Sequence, residues 1–156
     1  MTTADTGSRA SALGGRHPVR LAALAVGAVF LLVGVLGFTP GITTHYSHLS
    51  SAGHDAMAKL LGIFQVSVLH NVVHLLFGVA GIAASPTRAT SRAYLIGGGV
   101  IYLVLWVYGL VVDQASSANF VPVNTADNWL HFALGVGMIG LGVALTRREP
   151  GLAAGR

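Results

Sequence analysis

The sequence predicts an all-α membrane protein whose four transmembrane helices form two repeated helical hairpins. Hydrophobic residues make up 53% of its 156 residues and charged residues only 9%, whereas a soluble domain carries about 25% charged residues. Four long apolar segments run through the chain, and a histidine-containing motif occurs in two of them. The composition therefore argues against a water-soluble domain, and the repeated motif indicates a duplicated unit.

The four apolar segments have the length that a membrane-spanning helix needs, about 20 residues. We expect spans over about 19–38, 57–84, 93–112 and 127–145, which together make one transmembrane domain of residues 19–146. Each span is followed by residues that end a helix: Thr39-Pro40-Gly41, Ser85-Pro86, Asp113-Gln114 and Arg147-Arg148. Residues 1–18 and 147–156 are expected to be cytoplasmic tails, the first of them disordered because it lacks an apolar period.

Positive charges are distributed unequally over the expected tails and loops. The first and third loops carry only Lys59, whereas the two tails and the second loop carry eight arginines: Arg9, Arg16, Arg20, Arg88, Arg92, Arg147, Arg148 and Arg156. The positive-inside rule then places both termini in the cytoplasm, with the protein in the cytoplasmic membrane. Since the basic residues form no patch with interleaved aromatics, we expect no nucleic-acid binding. The absence of cysteine excludes disulfides, thiolate metal sites and cysteine nucleophiles.

The internal repeat is clearest around the motif N-x-x-H-x-x-x-G-V. It occupies residues 71–79 and again, 57 residues later, residues 128–136. Residues 27–37 and 99–109 also match in their glycine and aromatic positions, at a spacing of 72, so the first outer loop would be the longer one. Two hairpins of the same orientation would be parallel repeats about an axis along the membrane normal, and their glycines would allow close helix packing.

Polar residues at matching positions in the second and fourth segments form the candidate site. His70 and His74 are four residues apart and therefore share one helix face. Ionisable side chains inside a membrane are costly and usually have a partner or a function. The candidate site residues, expected near the centre of the membrane, are His70, Asn71, His74, Asn128 and His131.

Three interpretations of this site remain open from the sequence. Neutral imidazoles and asparagine amides could bridge the helices by hydrogen bonds. Alternatively, His70, His74 and His131 could ligate Zn, Cu or Fe, or His74 and His131 could clamp a haem. The third interpretation is proton or solute movement with Asp127, which aligns with His70, as a relay. An N-terminal role for Asp127 in the fourth helix, with Thr125 as N-cap, competes with any ligand role.

A second group of histidines lies in the first outer loop. It comprises His45, His48 and His54, with Asp55 next in the chain. Such a set could capture a metal outside the cell, but the favoured interpretation is an exposed loop that carries polar residues.

Two blocks of the sequence resemble the signature blocks of a bacterial membrane family, the domain of unknown function 4383. They are LLGIFQVSVLHNVVHLLFGVAG from Leu60 and NFVPVNTADNWLHFALGVG from Asn119, and the resemblance extends over about 19–145. It implies a small four-span protein without an assigned substrate, cofactor or reaction. It also marks as signature positions Gln65, His70, Asn71, His74, Asp127, Asn128 and His131.

We expect this protein not to be an enzyme. The sequence shows no Ser-His-Asp set, no carboxylate pair within the bilayer and no phosphate-binding glycine loop. The leading hypothesis is a membrane scaffold or accessory protein with a structural His/Asn core, which acts as a homo-oligomer or in a larger membrane complex. The alternative is a haem- or metal-binding membrane protein ligated by His70, His74 and His131.

Overall fold

The computed structural model describes residues 17–53 and 55–146, and its architecture is mainly helical. The helices are α1 (Pro18–Gly37), α2 (Val68–Ala84), α3 (Arg88–Val111) and α4 (Thr125–Ala144). The expected tails lie outside the described residues except at positions 17 and 18. They include Arg9, Arg16 and the three C-terminal arginines.

Side-chain caps begin all four helices. The ring of His17 accepts from the backbone N–H of Val19 at the start of α1. Ser67 accepts from the backbone N–H of His70 at the start of α2, and Thr87 accepts from that of Thr90 at the start of α3. Asn124 and Asp127 form a reciprocal capping box at the start of α4. The N-cap of α4 is therefore Asn124, and the expectation that Thr125 would fill this position was wrong.

The second helix is much shorter than the expected segment 57–84. Its first part instead forms β2 (Lys59–Leu60) and β3 (Phe64–Gln65), which pair with β1 (Thr43–Thr44) in an antiparallel sheet of order β1-β2-β3. Leu61 and Gly62 have φ angles of 54° and 72° in the β2–β3 turn, a conformation that a right-handed helix cannot contain. We call the end of the molecule that carries this sheet the sheet end.

Glycine contacts bring the helices together in pairs. A Cβ added to Gly78 of α2 would lie 2.8 Å from the carbonyl oxygen of Gly27 in α1. A Cβ added to Gly99 of α3 would lie 2.8 Å from the carbonyl oxygen of Gly135 in α4. Two hairpins, α1–α2 and α3–α4, are therefore closely packed through their backbones, as small residues permit.

Two of the four helices, α1 and α3, are long and apolar enough to cross a membrane, while the apolar α2 has 17 residues. Only 28% of the most apolar window of α1 and of α3 is buried, so neither resembles the core helix of a soluble protein. The buried polar side chains instead include His70, Asn71 and His131, while large apolar residues are exposed on all four helices. Buried polar groups beside exposed apolar side chains fit a lipid environment, where the polar groups of a bundle face its interior.

Candidate functional site

The candidate site lies near the sheet end and not halfway along the helices. His70 and Asn71 lie in the first turn of α2, and Asp127 and Asn128 lie in the first turn of α4. At 1.5 Å per residue, His74 is about 9 Å from the start of α2 and about 15 Å from its end. Because α2 begins at Val68, after the sheet, His74 lies closer to the start of α2 than to its end. Its expected depth in the membrane stays a prediction.

The structure brings the three histidines of α2 and α4 into one cluster. The rings of His70 and His74 are stacked, with centroids 4.6 Å apart and planes 2° from parallel. The His131 ring lies 6.4 Å from that of His70. All three side chains are buried, with at most 8% of their surface exposed.

Two aromatic residues support this histidine cluster, and the sequence analysis did not include them in the site. Phe30 of α1 lies 5.6 Å from His74, and Tyr102 of α3 lies 5.3 Å from His131, measured between ring centroids. Phe30 and Tyr102 also stack on each other at 5.4 Å with an angle of 8°. The match between residues 27–37 and 99–109 could have identified them, because they occupy the same position in the two segments.

The hydrogen bonds that were expected between the histidines and asparagines of different helices are not observed among the described residues. His74 Nδ1 lies 2.9 Å from the carbonyl oxygen of His70 in the same helix. Within the part of the chain that the structure describes, four buried atoms of the cluster have no hydrogen-bond partner: His70 Nδ1, Asn71 Nδ2, Asn128 Oδ1 and His131 Nδ1. The predicted interhelical His–Asn network is therefore not formed among these atoms.

The two asparagines fill matching places inside their own hairpins. The Asn71 amide lies where a Cβ on Gly37 would be, and the Asn128 amide lies where a Cβ on Gly109 would be. Each asparagine thus packs against the last part of the preceding helix of its hairpin. Neither amide bridges α2 to α4.

Asp127 connects α4 to the sheet. Its Oδ2 accepts hydrogen bonds from the backbone N–H groups of Gln65 and Asn124, each at 3.0 Å. The Asn124 side chain donates to the carbonyl of Ile63 at 2.8 Å. Gln65 in turn donates from Nε2 to the carbonyl of Ala56 at 2.7 Å. The capping role of Asp127 is therefore observed, and it also secures the β2–β3 hairpin.

A largely enclosed cavity of about 110 Å³ lies between the histidine cluster and the sheet. Its polar side is formed by His70, Asn71, His74, Asp127 and His131. The other lining residues are apolar: Val33, Leu60, Leu61, Phe64, Val66, Leu130 and Leu134.

The histidine cluster does not have the arrangement of a metal centre. Among residues 17–53 and 55–146, no group of three or more His, Asp or Glu side chains is placed to hold a metal ion. The predicted metal ligation by His70, His74 and His131 is therefore not supported. A haem clamped by His74 and His131 is also not supported, since the adjoining cavity is well below the roughly 300–1,000 Å³ of typical cofactor pockets.

The histidines of the first outer loop lie apart from this cluster. His45 and His48 are exposed, and His45 has a positive φ angle of 50° just before a short 3₁₀ helix. His54 lies outside the described residues. Neither described histidine lines the cavity.

Comparison with known proteins identifies one family for this chain. The family model described as "Domain of unknown function (DUF4383)" matches residues 20–144, a range that contains every residue of the candidate site. Neither the curated proteins nor the solved structures contain a match. Because the family model covers most of the sequence, the chain belongs to the DUF4383 family.

Proposed function

We propose that this protein is a non-enzymatic scaffold or accessory protein of the bacterial cytoplasmic membrane, in which the histidine cluster joins two helical hairpins. The observation that carries the proposal is the stack of Phe30 on Tyr102, flanked by His74 and His131. These four rings come from all four helices. They fill the space between the hairpins, and a scaffold needs that packing to keep one fixed shape within a homo-oligomer or a larger membrane complex.

We propose four spans, with both termini cytoplasmic. The surfaces of α2 and α4 support this, since Leu76 is 63% exposed, Val79 57% and Val136 50%. Large apolar patches of this kind are rare on soluble monomers. The 17 residues of α2 extend about 26 Å, at the lower limit for crossing a hydrocarbon core of about 30 Å.

Cysteine labelling tests this topology directly, because the natural sequence contains no cysteine. Ser51→Cys and Ser117→Cys lie in the first and third loops, and Ala89→Cys lies at the start of α3; all three positions are exposed. In intact cells an impermeant maleimide should label the first two variants and should label the third only after permeabilisation. Labelling of Ser51→Cys and Ser117→Cys from opposite sides would refute the four-span arrangement.

We also propose that the hairpins are an internal duplication. Three contacts support it, because each recurs when the residue in the first helix is advanced by 72 positions and its partner by 57. The contacts Gly27–Gly78, Gly37–Asn71 and Phe30–His74 correspond to Gly99–Gly135, Gly109–Asn128 and Tyr102–His131. Unrelated apolar helices have no reason to repeat both spacings.

The structural role of the cluster is tested at His131. His131→Phe keeps a ring beside Tyr102, whereas His131→Ala removes it and should lower the free energy of unfolding by about 3 kcal/mol, as loss of a buried ring does. Unfolding of the purified protein in detergent would measure both, with the exposed His48→Ala as control. If His131→Ala were as stable as the wild type, the cluster would not hold the hairpins together.

A further inference from the structure

The cavity under the sheet has a chemistry that packing of the hairpins does not require. One side carries three buried histidines, and the other sides are formed by aliphatic residues and Phe64. His70 is 7% exposed and His131 is 4% exposed. In the described part of the chain, the Nδ1 atom of each has no hydrogen-bond partner. A cavity that only filled space would be lined by apolar groups, because buried polar atoms without partners are costly.

The hydrogen bond of His74 determines what this wall offers to a ligand. The carbonyl of His70 can only accept, so the Nδ1 of His74, 2.9 Å away, carries the hydrogen. In a neutral imidazole the other nitrogen, Nε2, is then an acceptor. The ring of His74 lines the cavity, and it therefore suits an O–H or N–H donor.

The size of the cavity limits the ligand to a few atoms. A cavity of about 150 Å³ lined by apolar side chains holds benzene, with its six heavy atoms. The volume of about 110 Å³ of this cavity corresponds to roughly four or five heavy atoms on the same scale. We propose that this cavity binds a small neutral molecule with one hydroxyl or amine donor and a short apolar part, of the class of the short-chain alcohols.

The roof of the cavity provides a route of entry. Leu61 lines the cavity and is also 62% exposed, so one residue separates the cavity from the outside. It has a φ angle of 54°, which is strained for a residue with a branched side chain. The β2–β3 hairpin that carries Leu61 is fastened to α4 through Asp127 and Asn124, so the proposed route needs only the side chain of Leu61 to move aside.

Binding of 2-fluoroethanol, which has four heavy atoms and one hydroxyl, tests the proposal. The full chain in lipid nanodiscs is titrated and the fluorine resonance of the probe is followed by NMR. So small a ligand is bound no more tightly than on the order of 0.1 mM, within the range of this method. Val33→Phe fills the cavity from α1, and Val35→Phe, at a residue 54% exposed on the same helix, is the matched control.

The wild type and Val35→Phe should show the same saturable binding, and Val33→Phe should bind at least tenfold more weakly. A fluorine response that rises linearly without saturation, and equally in all three proteins, would overturn the proposal. It would mean that the probe only partitions into the lipid and that the cavity holds only water. If Val33→Phe does not fold, the nitrogen resonance of His74 Nε2 in the wild type decides. A saturable shift on titration supports the site, and no shift overturns it.

The acceptor role of His74 has its own test. His74→Phe keeps a ring of similar size and removes the Nε2 acceptor, and one lost hydrogen bond should weaken binding of 2-fluoroethanol about fivefold. Unchanged affinity in a folded His74→Phe protein would overturn the assignment of the acceptor. These binding measurements are independent of the unfolding measurements on His131, so the ligand site and the structural role of the cluster can fail separately.

Discussion

The close approach of α3 to α4 can be tested with two glycines of the same helix. A Cβ on Gly99 would lie 2.8 Å from the carbonyl oxygen of Gly135 and 2.7 Å from Cγ1 of Ile139. A Cβ on Gly97, two residues earlier, would meet nothing within 4 Å. Gly97→Ala therefore adds the same methyl group as Gly99→Ala, but this methyl group contacts no other helix.

The expected effect follows from these distances. The side chain of Ile139 can turn away, but the Gly135 carbonyl belongs to the backbone of α4. Restoring an ordinary contact of about 3.4 Å requires the helices to separate by about 0.6 Å, and a gap of that size forfeits a quarter or more of the dispersion energy of the contacting atoms. Overpacking of this kind costs about 1–3 kcal/mol. The gain in helix propensity, up to about 1 kcal/mol, is common to both variants and cancels in their difference.

Equilibrium unfolding in mixed micelles, followed by circular dichroism, measures both variants against the wild type. We expect Gly99→Ala to be less stable than Gly97→Ala by about 1–3 kcal/mol, and Gly97→Ala to equal or exceed the wild type. If the two variants had the same stability, α3 and α4 would not be in backbone contact at Gly99, and the close packing of this hairpin would be refuted.

Three further predictions concern contacts that place the site. Gly109→Ala should destabilise the protein by about 1–3 kcal/mol, because its Cβ would collide with the Asn128 amide. Adding Asn128→Ala to this variant should recover part of the loss, and strict additivity of the two changes in a double-mutant cycle would contradict the contact. Asp127→Ala removes the acceptor of two backbone N–H groups and should cost about 2 kcal/mol and speed hydrogen exchange in β3, whereas the exposed Asp113→Ala should do neither. Tyr94→Phe should cost about 1 kcal/mol, because its hydroxyl donates to a backbone carbonyl of α2 at 3.1 Å; unchanged thermal unfolding would argue against this bond.

Sequence patterns predicted the ends of the helices well where residues that end a helix directly follow an apolar run. The ends of α1, α2 and α4 fall within a few residues of the expected boundaries because proline, glycine or a polar pair follows each apolar run. The start of α3 at Arg88 was missed by five residues. Its first turn is polar and is held by the Thr87 cap, a local signal that hydropathy alone does not contain.

The sheet could not be predicted from hydropathy because residues 57–67 are mostly apolar and continue into the apolar helix that follows. Strands of two residues are too short to show an alternating pattern, and short apolar runs do not distinguish strand from helix. The local signals that matter are Gly62, which allows the turn, and Ser67, which begins α2. Because these residues form the sheet, α2 begins at Val68 and is much shorter than the expected segment 57–84.

The identity of the site residues was easier to predict than their contacts. The repeated motif named His74 and His131, and the spacing of four residues to His74 added His70. The structure brings these three histidines together. The hydrogen-bond partners were predicted wrongly, since an asparagine on a helix can face its own hairpin or the opposite one, and the sequence does not distinguish these. In the structure, Gly37 and Gly109 leave space within each hairpin, and the amides occupy it.

The different packing within and between the hairpins explains why a cavity exists here at all. Within each hairpin, glycines face the backbone of the partner helix, so the helices approach closely at these positions. Between the hairpins the separation is filled by large rings such as Phe30 and Tyr102. Toward the sheet end, the rings that line this space are those of the histidines, and the roof is a β-hairpin that cannot interlock with them as a helix would. The sheet end of the contact between the hairpins therefore combines a cavity with unpartnered polar atoms, which makes it the natural position for the small ligand that we propose.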